Sequence, residues 1–405
     1  MASNPPFIPR AGKGPHAGDR RFKRSRRREL AVWWREIDRV LLFLVLTLMG
    51  IGTLAVAAGS PATARRLSTA SVKLDDLHFF YLHLRWQFVG LIAMIAASMM
   101  ERDKARRFAI VLGGAMLVGL MLVPVIGSSV NGAKRWLNLG FSLQPSEFLK
   151  PAFAVILAWI LSWRARDPNL PVVGITGALM GLIAVLLMAQ PDFGSTVLFG
   201  AVWFAMVLLA GISVRRIAIA GVAAIGVVIA AYLFYANARH RIDAFIGGGT
   251  AYDQVDLAER TLLAGGWTGS GLWLGVRKLS LPEAHTDYVF SVVGEEFGLL
   301  VCALIVVLYM AIVIRVMLRL VEEENLFTVL AASGLTAQLG GQAFINILVN
   351  LQLFPSKGMT LPLISYGGSS TIALCLGIGL LLAITRRNPF IQRSPFGRAL
   401  PELPR

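Results

Sequence analysis

The chain has 405 residues, 56% of them hydrophobic and only 15% charged, with mean hydropathy +0.66. Soluble domains carry roughly 25% charged residues, so this balance excludes an ordinary soluble globular protein. The formal net charge of +16 raises nucleic acid as a partner, but no nucleic-acid module accompanies it and that class falls away too.

Residues 1–38 are basic and contain Pro and Gly, with 20-RRFKRSRRR-28 as the densest run. They read as a flexible cytoplasmic tail, either an anchor meeting anionic membrane lipid or a partner site. The first apolar run begins near Val40 and reads as a retained span rather than a cleaved signal. Apolar runs then predict ten spans, at roughly 40–60, 79–100, 108–127, 147–163, 172–189, 195–213, 217–236, 288–314, 326–349 and 364–385. An even number places both termini on one side. Tails and loops on that side hold 26 of the 39 Lys and Arg residues, including 102-RDKARR-107, 215-RR-216 and 386-RR-387, which makes it cytoplasmic. The expected fold is an all-α polytopic membrane protein with a large outer loop between spans seven and eight. It divides into a tail (1–38), a membrane domain (39–387) and a C-terminal tail (388–405). Cys302 and Cys375 fall inside apolar runs and offer neither a disulfide framework nor a CxxC site. The chain contains no P-loop, HExxH or dinucleotide motif.

Polar residues collect in the outer loops, where the positive-inside bias does not explain them. In chain order these are 131-NGAKRWLNLGFSLQPSEFLKPAF-153, 190-QPDFGST-196, 239-RHRIDAF-245, 281-LPEAHTDYVFSVVGEE-296 and 354-FPSKGMTLPLISYGGSS-370. Lys134 and Arg135 beside Trp136 suit an interface anchor or a phosphate contact through the guanidinium fork. Ser146, Glu147 and Lys150 share one face of a helix opened by Pro145; they form either a structural pair or a cationic site in an outer cavity. Asp192 suits an N-cap. Gln338, Gln342, Asn346 and Asn350 recur every four residues, a stripe that either joins helices or walls a groove. Lys357 has no role in the Gly- and Pro-rich turn around it, so it is a ligand candidate.

Asp287 is the sharpest candidate. Asp287, Ser291 and Glu295 recur every four residues, which on a helix separates the two carboxylates by about 12 Å. Glycosidase pairs stand about 5–9.5 Å apart, so Asp287 reads either as a base acting alone or as an N-cap or helix-entry charge, with His285 orienting the residues after it and Glu295 and Glu296 lying deeper. Carboxylates and cations on an outer face suit a lipid-phosphate substrate, handled by an enzyme or by a transporter.

At these blocks the chain resembles the SEDS family (shape, elongation, division and sporulation), which includes RodA and FtsW, over roughly residues 40–390. Lys357 in SKGMTLPLISYGGSS is similar to the FtsW pattern. The segment 251-AYDQVDLAERTLLAGGWTGSG-271 departs from the family, with Leu257 and Ala258 where Gln-Ser is expected. The resemblance implies polymerisation of lipid II during cell division on the outer face of the bacterial inner membrane, at the septum. It also implies a class B penicillin-binding transpeptidase (FtsI type) and other divisome membrane proteins as partners. It implies Asp287 as the catalytic residue, with Arg135, Glu147, Lys150 and Lys357 in the substrate cavity; Lys134 and Ser146 join them as neighbours. The expected reaction is an inverting transfer with undecaprenyl pyrophosphate leaving. A divalent cation (Mg or Mn) is compatible with that chemistry, although no ligand spacing marks one. A lipid II flippase and a non-catalytic divisome scaffold are the alternatives.

Overall fold

The computed structural model describes residues 26–69, 73–130, 133–138, 140, 142–211, 254–355 and 358–387, with scattered positions between 221 and 247. The expected span at 217–236, the RHRIDAF block and both outer ends of the chain fall largely or wholly outside these. The described chain is mostly helical. Helix α1 (Arg26–Glu36) lies within the segment expected to be flexible and leads into α2 (Arg39–Leu67). Asp38 caps α2 by accepting the Val40 and Leu41 N–H groups at 3.1 Å each. Helices α3 (His78–Ser98) and α4 (Arg102–Ile126) follow.

A small antiparallel sheet then interrupts the all-α plan. Its strands are β1 (Ser128–Val130), β2 (Ala133–Asn138) and β3 (Ser142–Leu143), in register Ser128↔Trp136 and Leu137↔Leu143. It delivers the chain to α5 (Pro145–Ser162), which opens on a proline whose missing N–H costs nothing at that position. Helices α6 (Val172–Ala189) and α7 (Phe193–Leu209) complete the first half. The second half comprises α8 (Gln254–Ala264), α9 (Val289–Phe297), α10 (Leu299–Leu320), α11 (Leu326–Asn350) and α12 (Gly368–Ile384).

Among the described residues six helices are long and apolar enough to cross a membrane: α2, α3, α4, α5 with its following turn, α6 and α10. Helices α7 and α12 are apolar but shorter, and α11 gives up hydropathy to its polar stripe. Helix α5 is the central one, with 61% of its apolar window buried against 22% for α4. It packs on α4, α7, α11 and α12. Glycines close the α3–α12 seam: a Cβ on Gly379 would lie 2.5 Å from the Met94 carbonyl oxygen, an approach only a small residue permits.

The expected span at 288–314 is two helices. The chain breaks at Gly298, whose φ of 86° is left-handed. A Cβ there would sit 2.3 Å from the Trp267 carbonyl oxygen. The Leu299 N–H donates to the Gly266 carbonyl at 3.0 Å, so the preceding loop is stitched onto the break. Helix α9 is buried from Val289 to Glu296 and packs inside the protein, while α10 takes the lipid-facing role.

Candidate active site

Asp287 sits in the turn before α9, half-buried, and not on the helix itself. The face shared by Asp287, Ser291 and Glu295 is therefore not formed as a helical row. The polar stripe of α11 holds the turn instead. The Asn346 side-chain amide donates to the Asp287 carbonyl at 2.8 Å and to the Met359 carbonyl at 2.6 Å. Asn350 donates to the same Asp287 carbonyl at 3.3 Å and accepts the Ser291 hydroxyl at 2.7 Å. The Asn346 and Asn350 amides donate to backbone oxygens, and so fix where Asp287 stands.

Two further bonds tie the turn to the segment after Gly358. The Ser365 hydroxyl donates to the Thr286 carbonyl at 2.5 Å, and the Tyr366 N–H to the His285 carbonyl at 2.9 Å. The backbone of Gly358 runs beside the carboxylate, where an added Cβ would meet Asp287 Oδ2 at 3.2 Å. Lys357 lies outside the described residues.

His285 anchors the turn on its other flank. Its Nδ1 is 2.9 Å from Thr63 Oγ1 on α2, and its ring packs on Phe79 and Tyr366 with centroids 4.5 and 5.1 Å away. Burial, then the nearby His83, lowers its pKa to about 3, so the imidazole is neutral. This geometry fits an orienting residue.

Glu147 and Lys150 form a buried ion pair at 2.7 Å, 8% and 2% exposed. Lys150 also donates to the Gln342 side-chain oxygen at 3.2 Å, and Gln342 donates to the Thr360 carbonyl at 3.0 Å. The pair thus connects to the Asp287 scaffold through one turn of α11, about 6 Å of rise, and also lines a small recess with Pro151, Gln338 and Gly377. Ser146 is buried beside it at the α5 N-terminus. Gln338, the first of the stripe, makes no hydrogen bond among the described residues. The other three amides join segments, the first of the two roles open to the stripe.

Arg135 on β2 donates through Nε to the Gln190 carbonyl at 3.1 Å and through Nη2 to the Pro191 carbonyl. Its fork therefore grips the QPD turn, a use that adjacency to Trp136 did not reveal. Lys134 on the same strand is exposed. Asp192 caps α7, accepting the Ser195 N–H at 3.1 Å and its hydroxyl at 2.8 Å.

Glu295 and Glu296 have a role the sequence did not disclose. Glu295 accepts the Arg277 and Lys278 N–H groups at 2.6 and 2.8 Å. Glu296 accepts the Gly275 N–H at 3.2 Å, the Trp273 N–H and the Lys278 ammonium. Two buried carboxylates thus organise the 270–278 loop by charge-assisted bonds, and Gly275 is required there because a Cβ would lie 2.7 Å from both. Among the described residues no three His, Cys, Asp or Glu side chains gather at spacing suited to one metal ion.

Known proteins share this arrangement of helices. The chain is 35% identical to a protein named "Probable peptidoglycan glycosyltransferase FtsW" from Caulobacter vibrioides, covering 93% of this chain and 97% of that one. It is 34% identical to an FtsW from Alkalilimnicola ehrlichii, covering 91% and 95%. Among solved structures, a chain of a peptidoglycan synthase complex that coordinates polymerisation and crosslinking aligns with TM-score 0.69 and 27% identity, over 87% of this chain and 98% of that chain. The rod shape determining protein RodA of Thermus thermophilus aligns with TM-score 0.63 and 27% identity, over 87% and 97%. The family model described as "Cell cycle protein", which groups FtsW, RodA and SpoVE, matches residues 39–389, and the chain belongs to that family.

Proposed function

We propose that this membrane protein is a peptidoglycan glycosyltransferase that polymerises lipid II into glycan strands during cell division. The observation that carries the reading is the treatment of Asp287. Bonds from α11 and the 359–366 segment converge on the backbone of residues 285–287, in a chain whose relatives are named for this activity.

Asp287 acts as the general base. It takes the proton from the 4-hydroxyl of the acceptor GlcNAc, and that oxygen attacks the anomeric carbon of the donor MurNAc. The new C–O bond forms as the bond to undecaprenyl pyrophosphate breaks, with inversion. Positioned general bases contribute about 10²–10⁴-fold. Of the cations expected at the leaving pyrophosphate, Arg135, Lys150 and Lys357, the first two bind the 190–191 carbonyls and Glu147, so Lys357 is proposed for that role together with the exposed Lys134. Arg135, Glu147 and Lys150 position the elements that surround it, and Ser146 stands at the α5 terminus behind them. Among the described residues no three His, Cys, Asp or Glu side chains gather for a cation, and the steps above are written for the chain's own residues. The Asp287 end faces the periplasm at the septum, and a class B penicillin-binding transpeptidase crosslinks the strands; the synthase-complex similarity supports a partner of that kind.

The test is the product. The full chain, purified with its transpeptidase partner, is expected to convert lipid II into glycan strands that muramidase digests. Translocation of lipid II across vesicles without glycan product would replace this reading with the flippase. Outer-site variants that still support cell division, with neither glycan synthesis nor translocation detected, would favour the scaffold.

A further inference from the structure

The opposite end of the bundle carries a second, differently built site. Helices α2 and α10 connect the two ends. Thr63, near the end of α2, meets His285, while Asp38 caps its start. Helix α10 leaves the 266–267 loop at Leu299 and runs 22 residues to Leu320, roughly 33 Å. Where α2 begins and α10 ends there is a cavity of about 410 Å³, lined by Arg35, Arg315, Arg319 and Arg387 with Glu36 and Glu322.

The acidic groups around it are already committed. Asp38 is 2% exposed. It accepts Arg315 Nε at 3.0 Å and lies 3.1 Å from Arg319 Nη1, besides the two N–H groups of its cap. Glu36 pairs with Arg386 at 2.9 Å and Glu322 with Arg387 at 2.9 Å. Among the described residues five guanidiniums and three carboxylates thus stand around the recess, a formal charge of +2. Each guanidinium has five N–H donors in a planar fork, matched to the oxygens of a phosphate.

The rim says where that phosphate comes from. The cavity sits at the ends of two candidate membrane spans, the depth of lipid headgroups. Leu318, 64% exposed, lines it; Trp34, 47% exposed with Arg39 5.1 Å over its ring, and Val321, 81% exposed, are the chain neighbours of the lining residues Arg35 and Glu322. Tryptophan and arginine favour that level, and apolar rim residues suit acyl chains. We infer that this recess binds the phosphate headgroup of an anionic phospholipid in the leaflet opposite the Asp287 end. Basic pockets between membrane helices bind such headgroups.

The test uses the full chain in a zwitterionic detergent, titrated with phosphatidylglycerol, with phosphatidylcholine and with inorganic phosphate, reading thermal midpoint and lipid retained in native mass spectrometry. Arg315 and Arg319 are left intact because they hold the α2 cap. The variant is Arg35→Gln with Arg387→Gln; losing Arg387 releases the Arg319 carbonyl and Glu322, whose side chain is 76% exposed. Phosphatidylglycerol is expected to raise the midpoint of the wild type and phosphatidylcholine is not. In the double variant, eluting as the wild type does, affinity falls about 10- to 100-fold for each lost guanidinium, and the lysine double variant recovers part of it. An equal response to phosphatidylcholine, an undiminished response in the glutamine variant, or stabilisation by inorganic phosphate at matching concentration would each overturn the lipid assignment.

Discussion

Replacing Asn346 by alanine separates positioning from chemistry. Its amide spends both N–H donors on the Asp287 and Met359 carbonyls, at 2.8 and 2.6 Å, and Asn346 is 2% exposed. Alanine leaves the Met359 oxygen without that partner and leaves Asp287 to the longer 3.3 Å bond from Asn350. A buried acceptor left unsatisfied costs about 1–3 kcal/mol, so the thermal midpoint falls but the protein folds. The larger effect is on rate. The Asp287 turn is released from α11, and a misplacement of about 1 Å costs on the order of 10²-fold. Asn346→Asp keeps the shape but, when ionised, turns two donors into acceptors facing carbonyl oxygens, so its loss is greater. The assay is lipid II polymerisation by the purified full chain with its transpeptidase partner, with unfolding followed in parallel. Wild-type turnover in Asn346→Ala, together with a wild-type midpoint, would refute the idea that the α11 stripe positions the base.

Three further outcomes follow from the same contacts. Lys150→Met strands the Glu147 carboxylate in a buried site and costs about 3–5 kcal/mol; adding Glu147→Gln recovers most of that stability in thermal unfolding, whereas polymerisation stays reduced because the link to Gln342 is gone. Gly298→Ala forces a Cβ into the Trp267 carbonyl at a left-handed φ and destabilises by about 1–3 kcal/mol or more, read as an earlier urea transition. His285 is held neutral by burial and by His83, its pKa lowered to about 3. Its stabilising contribution is therefore complete above its ordinary value near 6.5 and is lost as pH falls from there toward 3, by up to about 1.4 kcal/mol per pH unit. His285→Gln flattens stability against pH in that window.

The parts legible in the sequence were those with local signals. Asp192 caps α7 as its position before Phe193 suggested, and the four-residue repeat of Gln342, Asn346 and Asn350 does present one bonding face. Its targets were not legible, because the carbonyls of Asp287, Met359 and Thr360 lie far from it along the chain. Arg135 beside Trp136 resembled a phosphate contact; the carbonyls it grips come from a turn 55 residues later. The break at Gly298 hid inside an apolar run because hydropathy does not register a single left-handed glycine. For the same reason Glu295 and Glu296 looked like charges on a membrane helix. They are the anchor of the 270–278 loop, and only the fold of that loop over α9 brings its amides to them.

The central claim is that Asp287 supplies the base while the surrounding bonds only place it. Lipid II polymerisation by the wild type and by Asp287→Asn, both purified with the transpeptidase partner, tests this most directly. The asparagine variant preserves shape and the backbone carbonyl that Asn346 and Asn350 hold. The account predicts a wild-type thermal midpoint with glycan synthesis reduced by about 10²-fold or more. Full-length glycan strands made at the wild-type rate would contradict it.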